Sequence, residues 1–145
     1  MRASSSFFFH VMSAVVALAA IACGRSPASP SSPLTGTWRG TDVRAGVSRT
    51  ITLEMTQSGA GVTGTWSAVA DGLASPETGS LGGTLVGSTA SLSLTPSSPV
   101  VCGPDVTLSG TLALTGTLAG DRLGGNYIVF LCDGAATGRI EVVRE

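Results

Sequence analysis

Few side chains in this 145-residue chain can make or break bonds, and where they stand narrows the chemistry sharply. The single histidine, His10, lies in an apolar N-terminal stretch, and the chain has no lysine. A Ser–His or Ser–Lys nucleophile and a Schiff base therefore have no residues to draw on. A zinc site of the usual His or Cys type is equally unsupported, and no metal or other cofactor is expected. The carboxylates Asp71, Glu77, Asp105 and Asp133 are the remaining candidates, since a pair of them could in principle serve glycoside hydrolysis. Aspartates between strands are more simply turn formers, and no calcium-ligand spacing links these four. The expectation is a protein that is not an enzyme, which leaves the three cysteines, Cys23, Cys102 and Cys132, as the reactive groups.

Cys23 closes an apolar segment that follows Arg2. Val11 to Ala22 has the length of a secretory core and is short of the ~20 residues that span a bilayer. Ala20-Ile21-Ala22-Cys23 resembles the lipobox of bacterial lipoproteins, with Ala20 where that family more often carries Leu. The resemblance implies cleavage before Cys23, acylation of Cys23, and a membrane anchor outside the cytoplasm, on the periplasmic face of the outer membrane or the cell surface. Residues 1–22 then read as a signal peptide and 23–33 as a lipidated cysteine with a Ser/Pro-rich tether. Semi-extended at ~3.1 Å per residue, that tether reaches up to ~30 Å. Only 12% of residues are charged and the formal net charge is −1, so no basic patch argues for nucleic acid.

From Leu34 to Glu145 the hydrophobic period is two, and turn residues interrupt it regularly. Eight strands are expected: 34–43, 48–57, 62–70, 80–86, 89–95, 106–117, 122–130 and 137–143. In the first, Leu34, Gly36 and Trp38 share a face, and in the second Ile51, Leu53 and Met55 do; threonines fill the opposite faces. Threonine supplies strand propensity and solubility together. The pattern predicts an all-β, eight-stranded antiparallel up-and-down barrel with its apolar face inside, a sandwich being the rival. An outer-membrane barrel is excluded, because its apolar band would face out.

Alternate connections of such a barrel lie at opposite ends. The short turns, Ser58 to Gly61, Gly87-Ser88 and Leu118 to Asp121, gather at one end. The longer ones, Asp71 to Gly79, Pro96 to Asp105 and Leu131 to Ala136, gather at the other with Arg44 to Val47. Cys102 and Cys132 fall on two of these long loops, and an exported domain meets an oxidising compartment, so a disulfide between them is expected.

Gly36-Thr37-Trp38 resembles the G-x-W signature of calycin barrels, among them lipocalins and avidins. The resemblance implies that Trp38 closes the barrel base, often under an arginine from near the last strand, for which Arg139 and Arg144 are the candidates. Trp66 and Tyr127 join them as barrel-closing or ligand-contacting residues. Biotin binding is not expected, since only Trp38, Trp66 and Tyr127 are available to line a pocket. Two functions follow as expectations: a lipocalin-like module holding a small apolar ligand at its loop-rich mouth, or an envelope protein presenting its loops to another protein. Ile128 and Phe130 motivate the second, because their strand is apolar on both faces.

Overall fold

The computed structural model describes residues 33–70, 72, 75–104, 106–108 and 110–145, with backbone alone at 106–108. The signal segment, Cys23, the tether as far as Ser32, and Asp71 and Asp105 lie outside the described residues. Ten strands follow in order: β1 (Gly36–Arg44), β2 (Val47–Ser58), β3 (Gly61–Ala70), β4 (Glu77–Val86), β5 (Thr89–Pro96), β6 (Val100–Gly103), β7 (Val106–Leu108), β8 (Leu112–Ala119), β9 (Arg122–Leu131) and β10 (Gly134–Arg144). Eight of them close an antiparallel barrel in the order β1-β10-β9-β8-β5-β4-β3-β2, while β6 and β7 form a separate hairpin inserted between β5 and β8. The chain is all-β, with no helix among the described residues. The barrel is compatible with a lipocalin-like fold.

Two connections differ from the alternation pattern. The expected strand 106–117 is broken, because Val106–Leu108 pairs with Val100–Gly103 and the barrel strand begins only at Leu112. Gly110 stands between them at φ +62°, a left-handed conformation that no strand adopts. Val106, Leu108, Gly110 and Leu112 keep one parity, so the period of two runs through the break and conceals it. The expected loop 131–136 shrinks to Cys132 and Asp133, because the ladder of β9 and β10 continues to the pair Leu131 and Gly134.

An eight-stranded barrel is just wide enough for inward side chains to fill it. Leu53, Leu94, Leu112, Leu123, Tyr127, Val129 and Ile140 fill its interior, each no more than 1% exposed. One end is drawn tight by the two-residue turns after β2, β4 and β8, and neighbouring turns are joined where Leu85 N donates to Ala60 O at 2.8 Å and Leu118 N to Ser88 O at 2.7 Å. The segment entering the barrel closes this end. Leu34 is fully buried, Trp38 Nε1 donates to its carbonyl at 3.1 Å, and its own amide donates to Gln57 Oε1 at 3.0 Å.

Candidate functional site

The opposite end, which carries the β6–β7 hairpin, is lined by charged groups. Their inward direction follows from strand parity: Trp38 points in, so Asp42 and Arg44 do too, and Ile51 pointing in carries Arg49 with it. The β1–β2 turn has positive φ at both Ala45 (49°) and Gly46 (80°), the pattern of a type I′ hairpin, and it sets Asp42 directly opposite Arg49. Arg49 donates one guanidinium nitrogen to Asp42 Oδ2 and another to Glu77 Oε2. Strand β3 lies between Arg49 and Glu77, and the inward positions it offers at that level are Ala70 and Ala68, small enough to be crossed.

Tyr127 reaches the cluster from the other side by a similar device. Tyr127, Gly138 and Arg44 are consecutive partners across β9, β10 and β1. A Cβ on Gly138 would overlap the Tyr127 ring, so the bare glycine is what lets the phenol lie across β10. Its hydroxyl then donates to Asp42 Oδ1 at 2.6 Å and accepts from Arg44 Nε at 3.1 Å, with the Arg44 guanidinium 5.8 Å from the ring centre. Arg44 Nη2 also stands 3.8 Å from Glu77 Oε2.

Asp42 is fully buried, and two arginines face two carboxylates, so the cluster is formally neutral. A buried carboxylate is tolerated only when paired and hydrogen-bonded, and Asp42 has both. Burial raises the Tyr127 pKa above its ordinary 10.0, the hydrogen bond to Asp42 raises it further, and Arg44 partly opposes them. Burial works to lower the Arg49 pKa, but Asp42 and then Glu77 outweigh it, so the guanidinium is held in its protonated form. The cluster forms a stopper: it ties β1, β2, β4 and β9 together across the loop-bearing end of the barrel.

The residues singled out in the sequence distribute between the two ends. Trp38 lies at the tight end under Arg144, whose guanidinium carbon is 4.7 Å from the ring centre. Arg144 also donates to Thr35 O at 2.8 Å and to Pro33 O, and pairs with Asp121 at 3.1 Å. Arg139 points outward and pairs with Glu141, well away from Trp38. Trp66 is buried against Gly79 in the apolar core, and its Nε1 has no hydrogen-bond partner. Glu77 belongs to the stopper and Asp133 is exposed on the β9–β10 turn, so these two carboxylates do not form a facing pair. Cys102 and Cys132 are joined in a disulfide that fastens the β6–β7 hairpin to the β9–β10 turn. No group of three His, Cys, Asp or Glu suited to a metal occurs among the described residues.

Asp42, Arg44 and Arg49 were not among the sequence candidates. The signal that finds them is the same parity that orders the core, carried four residues beyond Trp38 to Asp42 and six to Arg44 on β1, and two residues before Ile51 to Arg49 on β2. A recess of about 700 Å³ opens instead on the outer wall, between Val43, Ala113, Asn126, Ile128, Thr137 and Arg139. The chain matches no protein-family model and no curated protein.

Proposed function

We propose that this protein is an exported, lipid-anchored module of the bacterial cell envelope that acts by binding another protein with its loop-bearing end, not by carrying an apolar ligand in its barrel. One observation carries the reading: the barrel mouth is stoppered by Asp42, Arg49, Glu77 and Tyr127. The element free to make contacts at that end is the β6–β7 hairpin, pinned by Cys102–Cys132, with Val101 68% exposed on it. A loop held rigid on a closed scaffold loses little conformational freedom on binding, which favours recognition. The anchor would be Cys23, with the Ser/Pro-rich tether leading to the tight end. No catalytic role is assigned to any residue.

Mass spectrometry of the intact protein taken from its native membranes tests this directly. The expected species begins at an acylated Cys23, keeps its disulfide and carries no further molecule, and a photo-crosslinker at Val101 captures one envelope protein. A retained lipid or other apolar compound that dissociates only on unfolding would overturn it.

A further inference from the structure

The outer surface of the barrel has two unlike walls. Across β2 to β5 the outward positions are mostly Thr and Ser, and Glu54 is the only charge among the described residues there. Across β9, β10 and β1 they include Arg39, Arg122 and Arg139 and the large apolar Val43, Ile128, Phe130 and Val143, set among threonines, Asn126 and Glu141. At the tight end Arg122, Val143 and Arg39 stand side by side as register partners. Further along come Asn126, Arg139 and Val43, and then Ile128 and Phe130 on β9. Phe130 is 65% exposed, and Ile128, Val143 and Val43 lie between 41 and 48%. The other exposed valines of the barrel, Val47 and Val86, stand singly at strand ends. Arg39, Arg122 and Arg139 all belong to the apolar wall, against Glu141 and Glu145.

We infer that the β9–β10–β1 wall rests on an anionic lipid surface, with Phe130 and Ile128 dipping into the interface and the arginines at the headgroups. Two observations select lipid as the occupant. Arginine stems cover apolar surface while their heads meet phosphate, so a wall of mixed Arg and aromatic or aliphatic groups complements a charged bilayer interface. The 32 residues before Pro33, which include the apolar segment and Cys23, join the barrel at Pro33, whose carbonyl is held by Arg144 of β10 itself. The anchor therefore enters at β1, the edge strand of this wall, between Arg144 of β10 and Gln57 of β2. The inference rests on the proposed anchor for proximity only. It lays the barrel on its side, with the stapled hairpin directed along the membrane and the Thr/Ser wall toward water.

The test uses the full chain carrying a reporter, either Phe130→Trp on this wall or Thr84→Trp on β4, in vesicles of phosphatidylglycerol or phosphatidylcholine containing brominated chains. Buried Trp38 and Trp66 give both variants the same background. Quenching several-fold stronger at position 130 than at position 84 is expected in the anionic vesicles, weaker in the neutral ones and weaker at raised salt. Flotation with neutral vesicles, lost in Cys23→Ser, reports the anchor separately. A chain that floats with no preferential quenching at position 130 overturns the wall contact and leaves the anchor standing. A chain that does not float is added to anionic vesicles from solution, where quenching at position 130 upholds the wall contact and its absence overturns it. Shielding of position 130 in native envelopes without lipid quenching would assign the wall to a protein and likewise overturn the inference.

Discussion

At the scale of single residues, the barrel places its charges by parity and then makes room for them with small neighbours. Gly138 has space only for hydrogen beneath the Tyr127 ring, so Gly138→Ala is expected to cost roughly 1–3 kcal/mol in denaturant unfolding, as overpacking does. Arg49→Met removes the cation that pairs both Asp42 and Glu77, and a broken buried ion pair costs roughly 3–5 kcal/mol, again read from the unfolding midpoint. The two arginines considered as partners of Trp38 separate by the same measurement. Arg144→Ala loses charge-assisted hydrogen bonds of roughly 1.5–3 kcal/mol in total or more, whereas Arg139→Ala, an exposed change, stays within about 0.5 kcal/mol. Trp38 was legible as a base residue from its motif. The choice between Arg139 and Arg144 was left open because the expected eighth strand stopped at 143; carried one residue further, the parity of Ile140 and Val142 turns Arg144 inward and Arg139 outward.

At the scale of elements, alternation of apolar and hydroxyl side chains identifies seven of the barrel strands closely, since one buried face enforces a period of two. The eighth was obscured because Gly110 turns the chain without disturbing parity, so a hairpin and a strand read as one element. That hairpin is the least supported part of the fold by barrel ladders, and the disulfide is its main tie. Cys102 and Cys132 are 30 residues apart in sequence, and closing such a loop stabilises by about 3–4 kcal/mol in the chain-entropy model. Reduction is therefore expected to lower the free energy of unfolding by that amount while the far-ultraviolet β signal persists at ambient temperature. Loss of the β signal on reduction would mean that the barrel depends on the hairpin, against the continuous eight-strand closure.

At the scale of the whole molecule, the barrel is closed at its base by Leu34, Trp38 and Arg144 and crossed at its mouth by a neutral ionic stopper. The stopper also sets how stability depends on pH. The folded-state pKa of Tyr127 is raised above its unfolded value near 10.0, so the contribution is fully present below that pH and is lost as pH rises through the folded-state value. Tyr127 is the only tyrosine in the chain, so absorbance of tyrosinate near 295 nm reports this group alone. Titrating the folded protein by that signal should show the ionisation displaced to higher pH than in the unfolded chain, coinciding with loss of tertiary structure. A free, reversible ionisation centred at pH 10 while the barrel stays folded would show Tyr127 open to water, and the sealed mouth would be contradicted.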